Sequence, residues 1–263
     1  MTYKDGLSVV CFIHNIYNRG IYRLNNFLYS LRKQDSDIYP DIIVVDVSND
    51  DSYQEVHKIC KKYGAAHIYK ELDGRMWNKP QALNAGIKEC RTEYVMCTDV
   101  DSIFKKDFIS VLWEERSKKS MLSCRVHLTK PDHDLINFRM SSFDDLKEES
   151  ELLEDLRACG SCQFARTTWF HKVHGYDESF NMWSGMDYDI WMRASADGLE
   201  TKWIDDKTSI LHQWHQIEKN KYNRLFFRHY KKNNRRIRIQ EERRSKSDVS
   251  FITKNVGWEW GVL

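Results

Sequence analysis

The sequence contains no run of eighteen apolar residues, so hydropathy offers no membrane-spanning helix. Proline occurs only three times, which leaves long elements uninterrupted. No Asn-x-Ser/Thr sequon is present, the seven cysteines are odd in number and scattered, and the opening MTYKDGLSVV lacks a secretory pattern. These absences point to a reducing, cytoplasmic setting and exclude a disulfide framework. Net charge is also nearly absent: 41 basic residues stand against 39 acidic ones, leaving +2, so the molecule is no polyelectrolyte binder over its whole surface. A Gly-rich basic loop after the first apolar run is missing too, which argues against a nucleotidyltransferase.

What is there begins with size and aromatics. A chain of 263 residues with nine Trp can bury a sizeable core, as one large domain or two closely packed lobes. Charge is unevenly spread: residues 144–155 (DDLKEESELLED) are acidic, and residues 221–246 hold eleven Lys or Arg against two Glu.

The chemistry concentrates at residues 94–104, YVMCTDVDSIF. A short apolar run bounded by polar residues reads as a buried strand. Residues i and i+2 share a strand face, so Asp99 and Asp101 project together from its carboxyl end, where open α/β sheets bind ligands. Two such carboxylates repel unless a cation stands beside them, and Mg²⁺ or Mn²⁺ suits oxygen ligands of this kind. Alone, Asp-x-Asp favours a solvated strand exit; the rest of the chain shifts the balance.

Strands are expected at 7–13, 42–45, 66–69, 121–128, 162–165 and 201–204. Helices are expected at 21–33, 53–63, 81–88, 108–117, 143–157, 167–173 and 187–196, followed by a basic helix after residue 216. Strands alternating with helices imply a mostly parallel sheet with right-handed crossovers. Asp187 falls at or near a helix start, where free N–H groups favour a carboxylate. His212 and His215, at i and i+3, can reach one metal if the backbone turns there. Cys159-Gly-Ser-Cys162 has the spacing of a redox or zinc motif, but no second pair follows it.

In this order the motifs resemble metal-dependent glycosyltransferases of the GT-A fold, over roughly residues 7–222. The opening half is similar to the family 2 group, and the second half to the carboxyl-terminal module of β-1,4-galactosyltransferases and bacterial chondroitin-type polymerases. The motifs are Tyr17-Asn18-Arg19 with IIVVDVSNDD, Arg75-x-Trp77-Asn78-Lys79-Pro80-x-Ala82-Leu83-Asn84-x-Gly86, Thr98-Asp99-Val100-Asp101, and Trp183-Ser-Gly185-Met-Asp187-Tyr-Asp189 with Arg193. His212-Gln-Trp-His215 falls where the family has its metal-binding Met/His-x-x-His.

The resemblance implies a mixed, mostly parallel Rossmann-like sheet flanked by helices. Residues 1–110 would form a nucleotide-sugar-binding half, 111–220 the acceptor and catalytic half of the same domain, and 221–263 a basic helical extension. It further implies Asp187 as catalytic base and Asp101, His215 and His212 as ligands to Mn²⁺ or Mg²⁺. Asp46 would contact uracil, Asp99 the donor sugar or ribose, and Arg75 and Lys79 the diphosphate or sugar, with Trp183 also at the donor. The donor would be a UDP-sugar, and the acceptor a glycan, a lipid-linked sugar or modified nucleic acid. Residues 221–246 could meet an anionic polymer or a membrane surface, pack on the body, or remain solvated. Met186 replaces the family's acidic residue before the base, which makes the galactosyltransferase acceptor a poor guide. A catalytically silent carbohydrate-binding module is the reading from a different class.

Overall fold

β1 (Lys4–Ile13) is buried on both faces from Leu7 to Cys11, as a central strand in a sheet covered on two sides must be. The computed structural model describes residues 2–14, 20–48, 52–71, 77–133, 137–155, 159–180, 185–215, 223–257 and 259–263. After β1 the chain runs α1 (Gly20–Arg32), β2 (Asp41–Asp46), α2 (Tyr53–Lys62), β3 (Ala66–Tyr69), α3 (Lys79–Glu89) and β4 (Thr92–Asp99). Next come β5 (Ser102–Phe104), α4 (Phe108–Glu115), β6 (Ser120–Ser123), β7 (Val126–Leu128), α5 (Phe143–Glu148) and β8 (Glu151–Leu152). The remainder is β9 (Gln163–Arg166), α6 (Thr167–Lys172), α7 (Met186–Ala196), β10 (Glu200–Trp203), β11 (Ile210–His212) and α8 (Asn223–Ser245).

Seven strands form the main sheet in the order β10-β6-β9-β4-β1-β2-β3. Only β9 runs against its neighbours, β4 and β6; the other pairings are parallel. One face packs Leu24, Phe27 and Leu28 of α1, Val56 of α2 and Phe108 and Leu112 of α4. The other packs Leu83 and Ile87 of α3, Phe170 of α6, Ile190 of α7 and Ile237 of α8. The α3 helix lies very close to the sheet: a Cβ on Gly86 would stand 2.4 Å from Val10 Cγ1 and 3.1 Å from Val45 Cγ2. Glycine at that position is therefore a packing requirement.

A second, four-stranded sheet in the order β5-β11-β7-β8 stands beside the first and carries half of the site. Two sequence expectations change here. Residues 121–128 form two strands in different sheets, because the chain leaves β6 after Ser123 and re-enters pairing at Val126 beside β11. The helix expected over 143–157 ends at Glu148, and Leu152 pairs with His127. Ser142 caps its start by accepting from Asp145 N, whereas the run of like charges that follows opposes continuation.

The chain after α8 returns to the body. Arg193, fully buried, pairs with Asp189 at 2.8 Å and donates to the carbonyls of Val173, Gly175 and Ile252. Further on, Gly261 N donates to Glu178 Oε1 at 2.6 Å, and Glu178 Oε1 also accepts from Asn84 Nδ2 of α3. No described helix is long and apolar enough to cross a membrane.

Candidate active site

β4 carries Asp99 to the carboxyl end of the main sheet, and the chain then reverses through Val100 and Asp101 into β5. β5 pairs antiparallel with β11 so that Ser102 stands opposite His212. That register sets the imidazole of His212 beside Asp101, and Gln213 N donates to Asp101 O at 2.8 Å to lock the turn. His212 Nε2 lies 3.4 Å and His215 Nε2 3.3 Å from Asp101 Oδ2. One ligand atom from each of the three residues falls within 4.8 Å of the others, the only such metal-competent group of three or more among the described residues. Asp101 Oδ1 is buried and accepts no hydrogen bond among the described residues. Burial opposes ionisation of Asp101, but the two imidazoles outweigh it and hold the carboxyl well below the usual range. An orphaned buried carboxylate oxygen and two imidazoles together fit a divalent cation, and the mixed N/O donor set suits Mn²⁺ better than Mg²⁺.

α3 and α7 bring Lys79 and Asp187 beside Asp99. Lys79, in the first turn of α3, is buried; its Nζ donates to Asp99 Oδ1 and lies 3.7 Å from Asp187 Oδ1. Burial alone would lower this ammonium, but Asp187 and Asp99 outweigh it and hold it above the usual lysine range. Asn78 caps the helix by accepting from Gln81 N, which fixes where Lys79 enters the site.

Asp187 sits in the first turn of α7, behind Gly185, which takes a left-handed φ of 84°. A Cβ on Gly185 would come 3.1 Å from Ile237 Cγ1 and 3.2 Å from Phe180 Cε1, so α8 is packed directly behind this start. Burial raises the Asp187 carboxyl above the ordinary range, with Lys79 pulling the other way.

The remaining expected residues fall elsewhere. Asp46 is fully buried, with Oδ1 accepting from Ser48 N at 3.0 Å and Ser48 Oγ at 2.5 Å, and Oδ2 accepting from His67 Nε2 at 3.1 Å. Arg75 and Trp183 lie outside the described residues, as does Tyr17-Asn18-Arg19. Trp77 is described and packs against Phe12 and His14 at ring distances of 5.5 and 5.9 Å. Asn84 serves α3 packing: its carboxamide donates to Tyr176 O and accepts from Tyr176 N. Cys159 and Cys162 are buried free thiols, and burial pushes both above the usual range. Neither serves the metal or redox chemistry that their spacing suggested: Cys159 Sγ donates to Asp187 O at 3.2 Å, and Cys162 packs in the core toward Leu122.

The sequence profile of glycosyl transferase family 2 matches residues 11–173. The chain belongs to that family. No curated protein matches it by sequence. Among solved structures, family 2 membership is joined by a shared fold at low identity. S. aureus TarS 1-349 is similar at 19% identity and a TM-score of 0.56, over 79% of this chain and 60% of that one. The mannosyltransferase PcManGT from Pyrobaculum calidifontis, crystallised with GDP-Man and Mn²⁺, is similar at 17% identity and 0.56, over 95% and 73%. The catalytic domain of Drosophila β1,4-galactosyltransferase 7, in complex with xylobiose, is similar at 13% identity and 0.52, over 82% and 74%. The chain thus spans 60% of the TarS fragment and 37% of full TarS. The fold is the GT-A arrangement of these glycosyltransferases, with its mixed and mostly parallel sheet flanked by helices.

Proposed function

We propose that this family 2 chain is a metal-dependent, inverting glycosyltransferase that moves a sugar from a UDP-sugar to an acceptor hydroxyl. The observation that carries the reading is that Asp101 groups with His212 and His215, while Asp99, two residues before it, pairs with Lys79 beside Asp187, and Lys79 also feels the charge of Asp101. Asp101, His215 and His212 would hold the cation, Mn²⁺ before Mg²⁺. When bound, it supplies neutralising charge for the diphosphate of the donor.

The chain's own residues do the rest. Asp187, with its carboxyl raised toward the working pH range by burial, removes the proton from the acceptor hydroxyl as that oxygen attacks the anomeric carbon. Attack from the face opposite the leaving group inverts the configuration. Asp99, held by Lys79, is placed to accept hydrogen bonds from the donor sugar or ribose, and Lys79 keeps the two carboxylates in a single site. Arg75 and Trp183 are proposed at the diphosphate and sugar from their motifs, and Asp46 at uracil, with His67 sharing its Oδ2.

For the acceptor, the outer face of α8 favours an anionic polymer or surface, whether glycan, lipid-linked or nucleic acid. Arg228, Lys231, Lys232, Arg235 and Arg238 are all exposed along it, while Asn233, Ile237 and Gln240 face the body.

A panel of UDP-sugars and GDP-mannose, assayed for nucleotide diphosphate release with Mn²⁺, Mg²⁺ or chelator, tests the reading. Release from a UDP-sugar that the chelator abolishes is expected. A silent carbohydrate-binding module releases nucleotide in no arm.

A further inference from the structure

Between residues 159 and 163 the chain turns behind Asp187 before entering β9. The Cα of Gly160 faces the carboxyl group of Asp187. A Cβ at Gly160 would lie 2.9 Å from Asp187 Cγ and Oδ2 and 3.1 Å from Oδ1, so all three nearest atoms belong to that one carboxyl. Non-bonded atoms do not share that separation, so any side chain at Gly160 moves the carboxylate. What requires glycine here is the space that Asp187 fills.

The same turn is strapped at both ends. Thr98, the residue before Asp99, donates its hydroxyl to Ser161 O at 2.7 Å. Gln163 Nε2 donates to Asp187 O at 2.9 Å, and Cys159 Sγ donates to the same carbonyl at 3.2 Å. Gln163 is itself held, because its Oε1 accepts from the buried Tyr176 hydroxyl. The turn therefore joins the end of the strand that carries Asp99 to the first turn of the helix that carries Asp187.

We propose that the 159–163 turn sets the position of the Asp187 carboxylate relative to Asp99, with Gly160 as a positioning residue for the base. This rests on the reading of Asp187 as the base. The tolerance is small, since a misplacement of about 1 Å in such a site can cost a factor of about 100 in rate. Nothing in the proposal involves the two thiols reacting; Cys159 acts through one hydrogen bond to a main-chain carbonyl.

The test uses the full chain with Mn²⁺ and whichever UDP-sugar the panel finds turned over, reading UDP release and, by calorimetry, UDP affinity. Gly160→Ala is expected to bind UDP within about 2-fold of the parent while kcat falls by about 100-fold. A packing role alone would lower Tm and leave kcat of the folded fraction unchanged. Thr98→Val, which loosens the other end of the turn without adding an atom beside the carboxylate, is expected to lower kcat less and in the same direction.

Asp187→Asn separates the two ideas. If it is inactive while folded Gly160→Ala and Thr98→Val turn over like the parent, the positioning role is overturned and the base survives. If Asp187→Asn itself is active, the base reading falls. A crystal structure of Gly160→Ala gives the answer without substrate: a carboxylate displaced by more than about 0.5 Å supports the proposal, and an unmoved one overturns it.

Discussion

The ammonium of Lys79 stands 3.7 Å from Asp187 Oδ1 while bonded to Asp99 Oδ1, so a single cation is shared by carboxylates from β4 and α7. Lysine at this position compensates a charge pair that would otherwise repel in a buried site. Removing it leaves both acids without their partner. Lys79→Met is therefore expected to lower stability by about 2 to 3 kcal/mol, less than a sealed pair would lose, because the Asp99 side chain is 29% exposed and solvent screens part of the charge. Guanidinium denaturation measures this, and an unchanged midpoint would mean that the lysine is not structural.

The Asp101 cluster predicts a coupling between metal and nucleotide. Asp101→Ala should leave UDP binding insensitive to Mn²⁺, whereas the parent should bind UDP at least about 10-fold more tightly with Mn²⁺ than without. Titration calorimetry in both conditions decides it. Equal affinities for the parent in the two conditions would remove the cation from the site.

Asp187 predicts both a rate loss and a pH limb. Asp187→Asn should retain UDP binding and lose turnover by roughly 100-fold or more. The proposed base works only when ionised, and its carboxyl is raised by burial, with Asp99 adding to the rise and Lys79 opposing it. Turnover of the parent should accordingly fall as the pH drops through that raised value, at a pH above the ordinary aspartate value of about 3.9. A kcat profile flat down to pH 4 would count against this assignment.

The basic stripe on α8 predicts salt-dependent binding. Arg228, Lys231 and Arg235 lie on its outer face, and exchanging all three for Glu should reduce the slope of log affinity against log salt by about 3 for duplex DNA or anionic vesicles. Parent protein that shows no salt-sensitive retention on either would leave the helix a solvated face.

Much of this was legible in the sequence because parallel strands covered on both faces read as continuous apolar runs. Leu7 to Cys11 of β1, the Asp41–Asp46 strand and the strand ending at Asp99 stand out for that reason, whereas Ala66–Tyr69 at the sheet edge is only partly buried. Asp101 and the His212/His215 pair could be read as ligands by residue type, but as neighbours only through the family resemblance. Their meeting depends on β5, three residues long, pairing with a strand more than a hundred positions away, and no local period marks so short a segment. The helix over 143–157 was over-read because acidic residues suit a helix surface, while the pairing of Leu152 with His127 is a tertiary effect. Lys79 stood out as a cation for the diphosphate, yet its two carboxylate partners come from β4 and α7, and their approach is invisible along the chain.

The chain around Gly261 presses on α3. Gly261 rests so close to the helix that a Cβ there would lie 2.8 Å from the main-chain carbon of Asn84, and Gln81 reaches Val262 O. Clipping by a protease ahead of Gly261 would loosen the helix that presents Lys79 while leaving each proposed ligand and the base intact. An inert preparation should therefore be weighed intact by mass spectrometry before its silence is held against the chemistry.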